Sequence, residues 1–319
     1  MGDSMSLWQR AMIRLARSKS ATNFMQNNAL TRRLASRFVG GVDAASAIAK
    51  TIELREKRLT DSLYYLGEYV ESPEAVEESV AQIIHIARQL GQAGLDVHVS
   101  IDPTQIGYSL SDELGEKNAF RIGQAVSEQK GNGRKLLMLD MEDFCFVQKT
   151  LDLRSRLSQA GYPTAITIQA YLYRSEQDIR DLIQSGVDAV RLVKGAFAEP
   201  KERAWTAKQD IDRNFIRLAA LLLSTEAKAK GVYPIFATHD DRMIDAVTSI
   251  ARDNSTSQDA YEIEMLYGVR PSLQQQLVAE GYRVRVYVPF GTQWWPYTVR
   301  RIGEKPAMAR FVLYAIGKG

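Results

Sequence analysis

Eight short apolar segments alternate with amphipathic helical segments along most of the chain, and this alternation is what most limits the possible fold. Each segment is rich in β-branched or aromatic residues and is followed by a helical pattern of apolar residues. The predicted strands are residues 62–68, 96–102, 135–142, 165–172, 189–197, 233–240, 261–268 and 283–291. Eight βα units over roughly 250 residues match the size of a (β/α)8 barrel, so we predict an α/β fold of this kind.

The region before the first predicted strand has a helical pattern, interrupted at Gly40-Gly41. We therefore predict an N-terminal helical arm over residues 1–60 and one barrel domain over residues 61–319. A doubly wound sheet is the alternative fold. It requires a Gly-rich GxGxxG turn after an early strand when it binds dinucleotides, and no such motif occurs in this chain.

Composition and charge exclude several classes of function. The chain has 319 residues, of which 45% are hydrophobic and 25% charged, as in ordinary globular proteins. A net charge of +3 is too small to indicate a nucleic-acid partner. No apolar run is long enough to cross a membrane. Residues 7–19 form a basic amphipathic helix pattern, which either rests on an anionic membrane surface or packs on the main domain.

The single cysteine, Cys145, bears on the compartment and on the chemistry. One cysteine cannot form an internal disulfide, which is consistent with a reducing compartment, so we predict a cytoplasmic protein. Phe144 and Phe146 flank Cys145 and predict a buried, unreactive thiol rather than a nucleophile.

Polar side chains occur at the carboxyl ends of most of the predicted strands, where barrel enzymes place their catalytic residues. These residues are His98, Asp102, Asp140, Glu142, Gln169, Tyr171, Arg191, Lys194, Thr238, His239, Asp240, Glu264 and Tyr287. Any one of them could cap a helix or satisfy a core hydrogen bond. Their convergence on one barrel mouth predicts a functional site. With three histidines in the chain and no ligand spacing typical of a metal, we expect no metal site.

A helical stripe follows the last predicted strand. Tyr297, Arg300, Arg301 and Glu304 are spaced i, i+3, i+4 and i+7, so they share one helix face. Two guanidiniums suit the carboxylate of a small amino or keto acid, and Glu304 can hold Arg300 in place. The alternative is a solvated, charged helix face. The neighbouring polar mouth favours the carboxylate site.

Six motifs resemble those of the bacterial monofunctional proline dehydrogenases, and they occur in that family's order. They are DMED (140–143), QAYLYR (169–174), RLVKGAF (191–197), FATHD (236–240), YEIEMLYGVRP (261–271) and YVPFGTQWWPYTVRRIGE (287–304). Together they span most of the predicted barrel. RFVGG (37–41) is also similar, although the rest of the first sixty residues matches the family least.

The resemblance implies a distorted (β/α)8 barrel with non-covalently bound FAD at its mouth. It implies oxidation of L-proline, a cyclic imino acid, to Δ1-pyrroline-5-carboxylate, with electrons passed to a membrane quinone. A cytoplasmic enzyme of this kind would contact the inner face of the membrane peripherally.

The resemblance also implies a role for each matched residue. Asp140 and Arg191 would be the catalytic residues, with Arg191 near the flavin N5 atom. The implied FAD contacts are Met141, Gln169, Arg191, Lys194, Gly195, Ala196, Thr238 and His239. The implied substrate contacts are Arg300 and Arg301 as a carboxylate clamp, Glu304 as their ion-pair partner, and Leu266, Tyr287 and Tyr297 as pocket walls.

Four positions depart from the family pattern as we align it by motif. His98 stands where the family has a lysine that pairs with Asp140, so we expect either a protonated His98 beside Asp140 or the loss of a positive charge from the substrate site. Phe197 replaces a tyrosine, Glu264 a glutamine and Asp240 an asparagine. L-Proline is the expected substrate, and an N-methylated or ring-substituted proline is the alternative.

Two further classes of function stay open from the sequence. A lysine at the end of a barrel strand, here Lys194, is also the arrangement of Schiff-base aldolases. The other class is a flavin-binding relative that no longer turns over a substrate and acts by binding a partner.

Tyr287 provides a bulky wall that should disfavour a 4-hydroxyl group on the substrate.

Overall fold

The computed structural model describes residues 36–295, except 68, 69, 131, 132 and 198, and also residues 297 and 298. The strands are β1 (Thr60–Tyr65), β2 (Val97–Ile101), β3 (Lys135–Leu139), β4 (Thr164–Gln169), β5 (Ala189–Val193), β6 (Tyr233–Ala237), β7 (Glu262–Leu266) and β8 (Val284–Phe290). The helices are α1 (Ala44–Glu56), α2 (Pro73–Gln92), α3 (Asp112–Ser127), α4 (Phe144–Gln159), α5 (Ser175–Ser185), α6 (Lys208–Leu222), α7 (Thr225–Ala229), α8 (Asp241–Asp253) and α9 (Pro271–Ala279).

The eight strands form a closed parallel barrel in sequence order, which confirms the predicted (β/α)8 fold. Each strand pairs with the next, and β8 returns to β1 over six residue pairs, from Thr60 opposite Arg285 to Tyr65 opposite Phe290. All eight predicted strands are present. Most end a few residues earlier than predicted, because their last polar residues belong to the loops that form the barrel mouth.

Alternate residues of each strand point in opposite directions, and this parity divides the core into two layers. The outer layer packs between the strands and the helices, with Val99, Ile166 and Phe236 among its members. The inner layer fills the barrel axis with Leu136, Met138, Ala165, Ala189 and Ile235. Arg191 points inward, because it reaches Ser100 of β2 and Glu264 of β7 inside the barrel.

The chain before β1 packs against the barrel and its mouth. Ala44, Ala47 and Leu54 of α1 join the same buried cluster as the barrel strands. Before α1, the backbone N–H of Gly40 donates to the carbonyl of Pro289 at 2.8 Å, and the N–H of Gly291 donates to the carbonyl of Gly41 at 2.9 Å. These bonds attach the predicted break at Gly40-Gly41 to the end of β8.

The prediction for Cys145 was wrong, because the cysteine is exposed. It lies in the first turn of α4, and the flanking Phe144 and Phe146 pack against the core from that turn. Successive helical residues are about 100° apart, so two inward-facing neighbours leave the residue between them on the outer face.

Within the described residues, no helix has the length and apolar content needed to span a bilayer.

Candidate active site

A cavity of about 620 Å³ opens at the carboxyl ends of the strands. Its size is within the usual range for small-molecule and cofactor sites. The predicted site residues that line it are Asp140, Met141, Gln169, Arg191, Lys194, Gly195, Ala196, Thr238, His239, Leu266, Tyr287 and Tyr297. The parallel barrel therefore brings together residues from loops and strands far apart in sequence.

Arg191 occupies the centre of the cavity wall. Its Nη2 donates to Glu264 Oε1 at 2.9 Å, its Nε donates to Glu264 Oε2, and its Nη1 donates to Asp140 Oδ1. Both Nη atoms also lie 3.3 Å from Ser100 Oγ. Burial alone would lower the pKa of Arg191, but Glu264 and Asp140 outweigh it and raise that pKa, so the guanidinium stays charged.

Asp140 connects Arg191 to the aromatic wall. It follows β3 directly, and its backbone N–H donates to the carbonyl of Ile101 at 2.9 Å, which fixes its position. Its Oδ2 accepts from the Tyr287 hydroxyl at 2.9 Å and its Oδ1 accepts from Thr167 Oγ1 at 3.0 Å. Burial raises the pKa of Asp140, while Arg191 and the Tyr287 hydrogen bond oppose that rise.

His98 does not reach this cavity. It lies on β2 two residues before Ser100, on the same inward face but deeper in the barrel, and it is 1% exposed. Neither ring nitrogen has a hydrogen-bond partner, so a protonated pair with Asp140 is not formed. Burial, followed by the nearby Arg285 and Arg191, lowers the pKa of His98 well below 6.5, and the imidazole is neutral.

Asp102 is the β2-end residue that does line the cavity. Tyr64 lines it as well, and its hydroxyl donates to Asp102 Oδ2 at 2.5 Å. The Tyr64 ring stacks on Tyr287, with centroids 5.6 Å apart and planes 28° apart. Sequence reasoning missed Tyr64 because β1 carries no charged residue at its end. The alternating parity from Ser62 to Tyr64 was the signal that could have found it.

Lys194 belongs to a charged network at the cavity rim. Its Nζ lies 2.8 Å from Asp240 Oδ2 and also contacts Asp212. Lys208 and Arg242 pair with Asp212 at 2.7 and 2.8 Å. A Schiff-base lysine needs an amine that is free to attack a carbonyl, whereas Lys194 is held by two carboxylates, so these contacts argue against the aldolase alternative.

Gly195, the residue after Lys194, has a backbone conformation that favours glycine. Its φ is +106°, and a Cβ built there would lie 2.1 Å from Cδ1 of the Tyr171 ring. A residue with a side chain would be strained in this conformation and would also displace Tyr171. Glycine at this position therefore lets the Tyr171 ring pack against the loop after β5, and the backbone of Gly195 lines the cavity.

Gln169 at the end of β4 offers a hydrogen-bond acceptor to a ligand. Its Nε2 donates weakly to the carbonyls of Met141 and Glu142, at 3.3 and 3.4 Å. Its Oε1 is buried and has no partner. A buried carbonyl without a hydrogen-bond partner lowers the stability of the folded protein, so a ligand N–H at this position would be favourable.

Glu142 is held by Thr104, whose backbone N–H and hydroxyl donate to it at 2.8 and 2.7 Å.

His239 joins the rim to β7. Its Nε2 accepts from the backbone N–H of Leu266 at 2.9 Å, so the proton of the neutral imidazole is on Nδ1. Arg270 donates to the His239 carbonyl at 2.7 Å. These bonds fix the loop after β6 against β7.

Aromatic residues enclose one side of the cavity. We call this the mouth cluster, and it consists of Phe38, Val39, Tyr64, Leu66, Val269, Trp294, Trp295 and Tyr297, with Leu266 and Tyr287 packed against it. The predicted pocket walls Leu266, Tyr287 and Tyr297 thus lie together. Arg300, Arg301 and Glu304 lie outside the described residues, so the carboxylate clamp stays a prediction.

Comparison with known proteins gives concordant similarities. The proline dehydrogenase family matches residues 47–313. Proline dehydrogenase 2 of Bacillus subtilis (strain 168) is 34% identical over 296 residues, covering 93% of this chain and 94% of that protein. A proline dehydrogenase of Deinococcus radiodurans is 38% identical over 291 residues, covering 90% of this chain and 91% of that protein.

A solved structure has the same fold. Proline utilization A from Bdellovibrio bacteriovorus, inactivated by N-propargylglycine, superposes with a TM-score of 0.77 at 23% identity and covers 92% of this chain. The present chain spans 35% of the length of that protein.

Proposed function

The chain belongs to the proline dehydrogenase family, and on this premise we propose that it oxidises L-proline to Δ1-pyrroline-5-carboxylate with bound FAD and passes the electrons to a quinone. The observation that carries the proposal is Arg191, a buried guanidinium fixed by Asp140 and Glu264 in the wall of a cavity at the carboxyl ends of the strands. Peripheral contact with a membrane would follow from the quinone acceptor and is part of the proposal.

The residues present fit FAD. The unpartnered Gln169 Oε1 suits a ring N–H, and the backbone of Gly195 lines the cavity while the Tyr171 ring packs where its Cβ would lie. Residues that would hold FAD are Met141, Gln169, Arg191, Lys194, Gly195, Ala196, Thr238 and His239. When bound, FAD accepts the hydride that leaves C5 of proline, and the protein orients and polarises it.

The chain's own residues would position the substrate. Leu266, Tyr287 and Tyr297 provide the cavity wall, and the Tyr287 hydroxyl is held by Asp140. We assign the carboxylate to Arg300 and Arg301, with Glu304 as their partner. With the carboxylate fixed, the ring is held with C5 towards the cofactor, and orientation of this kind contributes a large share of a rate enhancement.

The proton on nitrogen must leave as the C5–N double bond forms. Asp140 already accepts from Tyr287 and Thr167 and pairs with Arg191, so it is committed to those groups. We propose that the site selects the amine in its neutral form and that the proton passes to solvent. Activity should then rise with pH through the titration of the substrate amine.

A related cyclic imino acid is the second candidate substrate. Three of the departures from the family pattern, Phe197, Asp240 and Glu264, line the cavity. Glu264 adds a carboxylate to the wall, and Phe197 lacks a hydroxyl. Such changes alter the charge and hydrogen bonding around the ring of the substrate, where a methyl or other substituent would lie.

The proposal is tested by product analysis with a soluble quinone as acceptor. With L-proline we expect Δ1-pyrroline-5-carboxylate, which is trapped with o-aminobenzaldehyde. With a methylated proline we expect the corresponding methylated imine. Arg191→Lys cannot reproduce the contacts of the guanidinium and should lower kcat/KM by roughly 100-fold or more. The control is Arg217→Lys, because Arg217 forms an ion pair with Glu176 on the surface. No imine product from any of these substrates would overturn the proposal.

A further inference from the structure

Arg191 has no N–H left to offer a ligand. A guanidinium carries five N–H bonds. The Nε bond goes to Glu264, the Nη1 bonds go to Asp140 and Ser100, and the Nη2 bonds go to Glu264 and Ser100. Arg191 therefore acts on a bound cofactor mainly through its charge, and the groups around it determine how much of that charge is felt.

The negative charges in contact with Arg191 outnumber its single positive charge. Two carboxylates, Asp140 and Glu264, face one guanidinium, and the side chains of Arg191 and Glu264 are 4% and 2% exposed. Ser62 Oγ donates to Glu264 Oε1 at 2.6 Å, which holds this side chain against Arg191. Two carboxylates and one guanidinium give this cluster a formal charge of −1 at the cavity wall.

We propose that Glu264 is a positioning residue that locks Arg191 in place, cancels its positive charge, and so makes the bound flavin harder to reduce. The inference rests on the proposed function, since it assumes a flavin in the cavity. Reduction adds negative charge to the flavin ring, and a neighbouring positive charge favours that change while a negative cluster opposes it. Glu264 thus weakens the favourable effect of Arg191.

The test is the midpoint reduction potential of the flavin bound to the purified holoprotein. Glu264→Gln keeps the shape and can still accept a hydrogen bond from Arg191, but it removes the charge. We expect its potential to be more positive than that of the wild type. Glu264→Ala leaves room for a water between Ser62 and Arg191 and should shift the potential in the same direction. It replaces Glu264→Gln as the test if the glutamine variant does not fold.

Glu262→Gln is the matched control. Glu262 lies on the same strand and the same face, two residues earlier, and its carboxylate pairs with Arg285 at 2.7 Å, away from the cavity lining. Its replacement removes a buried carboxylate of the same type and should leave the potential near the wild-type value. An equal shift in both variants would overturn the inference, because the effect would then not come from the position beside Arg191.

The possible outcomes separate this inference from the function on which it rests. A potential that is unchanged or more negative in the Glu264 variants overturns the inference, even if the wild type oxidises L-proline. A flavin that shifts as expected but is not reduced by any imino acid supports the inference and overturns the proposed function. A protein that binds no flavin overturns both.

Discussion

His98 is enclosed in the barrel with both ring nitrogens unpaired. Each buried polar atom without a partner costs on the order of 1–3 kcal/mol of stability. The folded protein also cannot protonate this imidazole readily, because burial and the neighbouring Arg285 and Arg191 lower its pKa well below 6.5. His98 therefore lowers the stability of the barrel interior, and it does not line the cavity to which the sequence assigned it.

This arrangement makes folding stability depend on pH in a defined direction. Below pH 6.5 the unfolded chain binds a proton at His98 and the folded protein does not, so stability falls as the pH falls. The loss from this one residue is about 1.4 kcal/mol per pH unit until the folded pKa is reached. We expect His98→Leu to remove this loss, so that its advantage over the wild type grows between pH 6.5 and 5.

Urea unfolding at several pH values measures the effect. Asp61, whose pKa burial raises to about 6, acts in the opposite direction, since its contribution is lost as the pH rises through that value. It is present in both proteins and cancels from the difference. The control is His85→Gln, because His85 is exposed on α2. A pH-independent difference between wild type and His98→Leu would contradict the assignment.

At the scale of single elements, the turn after β5 joins the barrel strand to the cofactor side of the cavity. Gly195 has a φ of +106°, and its Cβ position is filled by the Tyr171 ring. Gly195→Ala should combine left-handed backbone strain of roughly 1–2 kcal/mol with overpacking of roughly 1–3 kcal/mol. We expect a lower melting temperature and a reduced flavin content.

Gly186→Ala separates the two contributions. Gly186 ends α5 with a φ of +74°, and no heavy atom lies within 4 Å of the Cβ position. This variant should lose about 1 kcal/mol from backbone strain alone and keep its flavin. Thermal melts and the flavin-to-protein absorbance ratio distinguish the two variants. Equal effects would mean that contact with Tyr171 does not matter.

The same elements show what a sequence can and cannot reveal. All eight strands and the residues that follow them were predicted, because inward and outward positions alternate and parallel strands end at the same edge. The Arg191–Glu264 ion pair was not predicted, since it depends on inward-facing side chains of β5 and β7, on either side of β6, meeting inside the barrel. The sequence pattern also does not show how far along a strand the cavity begins. The prediction therefore did not distinguish His98, which is buried below the cavity, from Asp102, which lines it.

For the whole molecule, the mouth cluster is a second core, distinct from the main core between strands and helices. Phe38 comes from the segment before α1, while Trp294 and Trp295 follow β8, so residues from both ends of the described chain pack together with cavity-lining residues such as Tyr64. Closing the barrel through six β1–β8 pairs brings these segments together. Formation of the cavity wall therefore depends on completion of the fold.

Because the two cores are separate, we expect them to open separately. Phe38→Ala removes a buried ring and should cost about 3–5 kcal/mol within the mouth cluster. Hydrogen exchange should then accelerate around Leu66 and Trp295, while β3, β4 and β5 keep their protection. Phe215→Ala, in the main core, is the matched control and should lower protection throughout. A uniform loss of protection in Phe38→Ala would show that the mouth cluster is not an independent unit.

The central claim, a flavin-dependent oxidation of L-proline at the barrel mouth, is tested most directly by anaerobic titration of the purified protein with L-proline. We predict a yellow protein whose oxidised flavin absorbance bleaches as L-proline is added. A colourless protein, or a yellow one that L-proline does not bleach, would contradict the claim, and bleaching by a methylated proline alone would favour the second candidate substrate.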